Sequence, residues 1–328
     1  LSVKSVKEIG TVPRPALHAG RDAGFSIVLN GRSVWVFADT FLPKQAEDGL
    51  DWRSSSWSWT NDTDSSDGVG PFLHAMDKDS LALQVLPHDR AEYEFNVNRQ
   101  HAELCRIKSE CGRRHTPWPG AAVSNGEVAY IYYSNMVTGE RGLTGPEAGW
   151  DFRSKSVSVA VWEDSTEAAK RIEPPVFKDE EPDWVSAALL SDNFIYVYAC
   201  HDDEDSSHKP CRIAKTPFDS ATVRSAYTFW DGSDWVEDWR KAKPIFEGAP
   251  QLAIEYNNYL QRYITLYFQG ISNNIAMRTS HSPEGPWSQA QLIGKGMATW
   301  ENWNYFLVSH SEFSREHGKI VILSYTRP

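Results

Sequence analysis

Two aspartates, Asp22 and Asp39, bracket the stretch RDAGFSIVLNGRSVWVFADTF (21–41), where apolar residues alternate around a central Asn-Gly. Asn-Gly is the strongest short-range hairpin signal, because both central residues of a type I′ turn take positive φ. With Asn30-Gly31 as the two-residue loop, positions whose numbers sum to 61 face each other, and Asp22 and Asp39 are such a pair. Opposed side chains on paired strands begin with Cβ atoms about 4.5–5.5 Å apart, a spacing at which like charges repel. Two carboxyls kept together at that cost suggest a shared task. Paired carboxyls are the machinery of glycoside cleavage: one protonates the leaving oxygen while the other activates water or attacks the sugar. Close acids also push one pKa upward, so two identical side chains supply an acid and a base. The expected roles are Asp22 as base and Asp39 as acid.

The element that would position them recurs along the chain. AAVSNGEVAYIYY (121–133), SAALLSDNFIYVYA (186–199), QLAIEYNNYLQRYITLYF (251–268) and FLVSHSEFSREHGKIVILSY (306–325) repeat the pattern of apolar run, turn and aromatic-rich run. Their turn centres fall near Asn30, Asn125, Asp192, Asn257 and His317, at intervals of roughly 60–95 residues. Further strand-like runs, such as KSVSVAVWE (155–163), lie between them. The pattern predicts an all-β fold: a five-bladed β-propeller with four-stranded blades, one domain over 1–328. A sandwich would not repeat one hairpin five times. Residues 43–117, polar and Trp-bearing, read as an insertion on the substrate face, and STEAAKRI (165–172) is the best helical candidate.

In a propeller the first strand of each blade lines the channel and the second returns beside it. Residues some eight positions before and after each turn therefore converge on one rim. The first unit brings Asp22 and Asp39, and the second brings Trp118 and Asn135. The third offers Asp183, Trp184 and His201, the fourth Glu247 and Gln269, and the fifth Trp303. On this reading Asn135, Asp183, His201, Glu247 and Gln269 tune charge or hold a sugar, while Trp118, Trp184 and Trp303 stack on it. Each isolated acid also reads as an ordinary solvated loop charge. The alternative for the facing pair is a turn capped by local amides.

Bulk properties narrow the partners. A net charge of −11 would repel nucleic acid, and no apolar stretch approaches the length of a membrane span. A monomer acting on a polysaccharide or oligosaccharide is expected. Cys105/Cys111 and Cys200/Cys211 are close pairs without C-x-x-C spacing, which points to two local disulfides and a secreted protein. The chain starts at Leu1 rather than methionine, as if a leader had been removed. No cofactor is called for, although CHDDEDSSHKPC (200–211) could hold a structural calcium. No G-x-S-x-G, H-E-x-x-H or phosphate-binding glycine loop is present.

RDAGFSIVLNGRSVWVFADTF resembles the R-D-x-G…N-G-R…W-x-F-G-D-T-F opening of the family long called domain of unknown function 4185, which includes endo-D-arabinanases of glycoside hydrolase family 183. WPGAAVSNGEVAYIYY, YTFWDGSDW (227–235), IEYNNYLQRYITLYF and the closing HGKIVILSYTRP are similar to its later segments. The resemblance implies a five-bladed propeller that cuts within D-arabinofuranose chains, such as those of mycobacterial arabinogalactan and lipoarabinomannan. It places the catalytic aspartates on Asp22 and Asp39 and implies an inverting outcome. Ala38 departs from the glycine usual before the second aspartate. FEGAP (246–250) is similar to the general-acid E-G-P of the broader arabinanase and xylosidase propellers, which keeps Glu247 among the candidates. Two other functions fit the same rim: a sugar-binding propeller without turnover, and a polysaccharide lyase using His201 or a tyrosine as base.

Overall fold

The computed structural model of the protein describes residues 3–101, 113–142, 150–201, 209–297 and 301–327. Its first hairpin forms as the turn chemistry dictates, with Asn30 and Gly31 at φ of 51° and 73°. Phe25–Leu29 and Arg32–Phe37 pair from Leu29↔Arg32 out to Phe25↔Val36. The same register resumes beyond the aspartates at Arg21↔Thr40 and Gly20↔Phe41. The register inferred from Asn-Gly is therefore the same on both sides of the aspartates.

Four more antiparallel hairpins follow: 114–124 with 129–138, 187–191 with 194–200, 253–257 with 262–268, and 305–309 with 323–326. Each opens a sheet, and apolar wedges fill the gaps between successive sheets. Trp57, Ile131 and Trp162 pack between the first and second, Tyr132, Trp184 and Phe229 between the second and third. Tyr198, Phe246 and Tyr267 fill the next gap, and Leu266, Phe268 and Leu307 the one after. Trp35, Phe37, Phe313 and Ile322 then join the fifth sheet back to the first. The sheets thus follow one another around a ring. At Gly120 a Cβ would lie 2.6 Å from the Val185 carbonyl oxygen, so the second and third sheets meet there only because the residue has no side chain.

Three expectations are corrected. The blades are not uniformly four-stranded: among the described residues the sheets that contain the five hairpins hold four, five, six, four and two strands, and a separate three-stranded sheet joins Gly20–Arg21, Thr40–Phe41 and Trp52–Arg53. The excess arises because return segments add short strands, Phe177–Lys178 to the second sheet and Phe246–Glu247 to the third. Nor is 43–117 an insertion throughout. Ser56–Thr60 and Leu73–His74 are the third and fourth strands of the first sheet, and Trp52–Arg53 extends its hairpin into a three-stranded ribbon. Serine and threonine on the buried face hid that pattern from a hydrophobicity reading. Finally, 165–172 is not helical. Among the described residues the α-helix is α1 (Arg90–His101), opened by a reciprocal capping box in which the Glu92 amide donates to Asp89 Oδ1 and the Asp89 amide to Glu92 Oε2.

Candidate active site

Asp22 and Asp39 sit where the first hairpin's ladder is broken between its two regular stretches. The Asp22 amide donates to the Asp39 carbonyl at 2.8 Å, whereas the Asp22 carbonyl accepts from Ala38 rather than from Asp39. Ala23 and Gly24 take φ of 55° and 148° to restore the register. An alanine in the left-handed region costs about 1–2 kcal/mol, and such strain gathers at functional sites. Phe306, which follows the tyrosine that binds Asp22, shares this conformation at φ 53°.

Each carboxyl is held the same way. Asp22 Oδ1 accepts from the Tyr305 hydroxyl at 2.6 Å and from the Ala23 amide at 2.6 Å. Asp39 Oδ1 accepts from the indole N–H groups of Trp52 at 2.8 Å and Trp118 at 3.2 Å. Neither Oδ2 has a protein partner among the described residues, and neither is sealed from solvent. One oxygen of each acid is fixed while the other stays available.

All of these side-chain donors are neutral, so burial decides the electrostatics. Burial raises the Asp22 pKa against the opposing bonds from Tyr305 and Ala23. For Asp39, burial is again the main cause and the neighbouring Asp22 charge adds to it, while Trp52, Trp118 and the Arg114 charge pull the other way; the result is about 6. The Tyr305 hydroxyl is itself pushed upward by burial and by the Asp22 charge, so it remains a donor. Trp52, almost fully buried, is steadied by Arg114 at 4.9 Å from its ring and by His88 at 5.6 Å. Burial lowers His88 to about 4, so that ring is neutral near pH 7.

An aromatic wall runs from one aspartate to the other. Trp118 meets Phe152 at 5.4 Å, Phe152 meets Trp150 at 6.4 Å, Trp150 meets Trp303 at 5.9 Å, and Trp303 meets Tyr305 at 5.3 Å. Among the residues expected at the rim, Trp118 and Trp303 belong to this wall.

The other candidates each have surroundings of their own. Trp184 has no exposed surface and packs against Phe177 and Phe229, so the expectation that it stacks on sugar is corrected. Asn135 donates to Ser156 at 2.9 Å and accepts from Arg171 at 3.1 Å, which makes it a brace between strands of the second sheet. Asp183 accepts from Ser154 at 2.7 Å and is half-buried. His201 lines a cavity of about 320 Å³ with Arg212, Trp239 and Glu180 on the third sheet. Glu247 is exposed opposite Pro210, on the flank of the third sheet's third strand. Gln269 is exposed in a turn whose Asn273 bonds Asn302, next to Trp303.

Cys200 and Cys211 form a cross-strand disulfide, as expected. Cys105 and Cys111 lie outside the described residues, as do 202–208 of the suggested calcium loop. Among the described residues no group of three or more His, Cys, Asp or Glu is gathered to hold a metal.

The sequence reading missed Trp52, Trp150, Phe152 and Tyr305. Tyr305 carried a usable signal, since it stands two positions after Trp303 and so shares its face in an extended segment. Trp52 carried none, because its place depends on a third strand joining the ribbon.

A family model described as a domain of unknown function (DUF4185) matches residues 17–318. No curated protein matched the chain. Among solved structures, a Bacteroides ovatus protein assigned as a hydrolase is similar with a TM-score of 0.54 and 16% identity, covering 92% of this chain and 78% of that one. An α-L-arabinofuranosidase from Clostridium thermocellum follows at 0.52 and 14%, covering 93% and 82%. A β-fructofuranosidase from Bombyx mori gives 0.50 and 10%, covering 88% and 52%. At such identities the likeness is one of fold, and this chain shares the propeller architecture.

Proposed function

The chain belongs to the family described as a domain of unknown function (DUF4185), and on that footing we propose that it is a secreted glycoside hydrolase with Asp22 and Asp39 as its acid–base pair. The observation that carries the reading is the pairing itself. Two carboxyls are held side by side by neutral donors, each with a free oxygen, and Asp39 is lifted to about 6. A carboxyl with that pKa keeps its proton into weakly acidic solution, as a general acid must.

In the proposed reaction Asp39 gives its proton to the glycosidic oxygen as the bond to the anomeric carbon breaks. Asp22 takes a proton from water, whose oxygen bonds the anomeric carbon from the opposite face. The outcome is inversion, which requires carboxyls about 6.5–9.5 Å apart when engaged. No cofactor enters these steps. The substrate we favour is the D-arabinan of arabinogalactan or lipoarabinomannan, cut internally by a monomeric five-bladed propeller. The resemblance of the first hairpin to endo-D-arabinanases supports this choice, and the fold shared with an arabinofuranosidase agrees with it. The Cys200–Cys211 disulfide suits an oxidising compartment.

The test is incubation with D-arabinan beside a panel of plant and fungal glycans, following reducing ends and ultraviolet absorbance. New reducing ends without absorbance are expected from D-arabinan, and NMR of the first product reads its anomeric form. Absorbance from an unsaturated uronate would make the protein a lyase. Binding without any product would make it a lectin-like propeller.

A further inference from the structure

The aromatic wall contains two rings that acid–base chemistry does not use. Trp150 is 57% exposed and Phe152 37%, although both lie in ring contact with the wall that joins the aspartates. Their exposure is not a sign of looseness. Asp151 between them is 2% exposed, its carbonyl accepts from the Gly139 amide at 2.7 Å, and its carboxylate accepts from the Arg141 amide at 3.0 Å. The Arg141 guanidinium also reaches the Trp150 carbonyl, and Phe152 is paired with Thr138 in the second sheet. The buried aspartate thus clamps the backbone and presents a ring on either side of itself toward solvent. Large apolar groups held rigidly at the surface mark binding sites, because little conformational entropy remains to be lost when a ligand covers them.

Trp150 stands two ring contacts from each aspartate's own aromatic partner, Trp118 on one side and Tyr305 on the other. A ring so placed is joined to the carboxyl pair only through other rings, with no bond of its own to either aspartate among the described residues. The protein's charge of −11 favours a neutral chain over an anionic one. We infer that Trp150, with Phe152 and Trp303, forms a stacking platform for neutral sugar units flanking the scissile linkage, so that the site grips a polysaccharide rather than a single glycoside. This inference rests on the glycosidase reading of the Asp22/Asp39 pair for its orientation, but not for its existence as a binding surface.

The experiment uses the Asp39→Asn protein, which would bind without turnover, and measures affinity electrophoresis and titration calorimetry with D-arabinan and the same glycan panel. Adding Trp150→Ala should weaken polysaccharide binding by about tenfold or more, and Trp150→Tyr should restore most of it. Tyr259→Ala, an equally exposed aromatic in the turn of the fourth hairpin, should change nothing. In the wild-type background Trp150→Ala should raise KM for polymer more than it lowers kcat. Unchanged binding after Trp150→Ala, or equal weakening by Tyr259→Ala, would overturn the platform, as would a parent protein that binds no glycan. Trp150-dependent binding with no cleavage by the wild type would instead overturn the glycosidase reading and leave the platform standing.

Discussion

Two buried carboxylate sites lie close to the same rim, and they are built on opposite principles. Glu92, at the start of α1, receives two bonds from Arg171, whose own side chain is only 9% exposed, and closes the helix's capping box. Burial pushes the Glu92 pKa up, but the bonds and charge of Arg171 and the Asp89 amide outweigh it, and the net shift is downward. Asp39 has equally good geometry but only indole donors, and its net shift is upward. A cation settles a carboxylate into the charged state and leaves it inert. Neutral donors fix its position without fixing its proton. The contrast separates a strut from a reactive group, and it is open to test from both sides.

The largest effects should come from removing the reactive group. Asp39→Asn or Asp22→Asn should each lower kcat on D-arabinan by roughly 10²–10⁴-fold, the usual worth of a positioned acid or base. Neither should unfold the protein, because asparagine Oδ1 still accepts the same bonds. Asp39→Asn should in fact stabilise. With a folded pKa near 6 against an unfolded value near 3.9, the native state holds its proton more tightly. Ionised Asp39 therefore costs stability above pH 6, by up to roughly 3 kcal/mol, and the cost vanishes towards pH 4. Thermal unfolding of the variant and parent at pH 4 and pH 8 checks the sign; a variant that is less stable at pH 8 contradicts it. The strut should behave in reverse. Arg171→Met strands a buried glutamate and should cost about 3–5 kcal/mol of stability, with kcat per folded molecule changed far less than by either aspartate variant. The stability contributed by Glu92 should be present at neutral pH and decline as pH falls through its lowered pKa.

The same chain shows why only part of the site could be read in advance. At the first hairpin the pairing resumes beyond the break at the aspartates, at Arg21↔Thr40 and Gly20↔Phe41, so counting outward from Asn30-Gly31 brought Asp22 and Asp39 side by side as expected. At the third hairpin the turn was equally legible, with Asp192 and Asn193 both at positive φ. There the ladder stops at Ala187↔Tyr198, and the Val185 amide folds back onto the Asp183 carbonyl. Trp184 is thereby turned into the wedge between the second and third sheets, and a count that assumes an unbroken strand fails. Hairpins are local and were readable. Blade widths, the partners of Asp39 and the wall around Trp150 depend on segments 13–283 residues apart in sequence, as in Trp52 to Asp39 and Tyr305 to Asp22, and no local pattern encodes them.

The finest distinction concerns which aspartate does what, and the two anchors allow it to be read from pH profiles. The Tyr305 hydroxyl holds the Asp22 pKa down, and the Trp52 indole does the same for Asp39. If Asp22 is the base, it must be ionised and sets the acid limb of kcat/KM; if Asp39 is the acid, it must be protonated and sets the alkaline limb, near pH 6. Tyr305→Phe then raises Asp22, moves the acid limb upward and narrows the optimum. Trp52→Phe raises Asp39, moves the alkaline limb upward and widens it. Each displacement should be below about one pH unit, the worth of one neutral hydrogen bond. Because the carboxyls are coupled, the limbs report the pair, so the decisive observation is which limb each variant moves. Tyr305→Phe moving the alkaline limb and Trp52→Phe the acid limb would exchange the two roles, and movement of neither would detach both anchors from the chemistry.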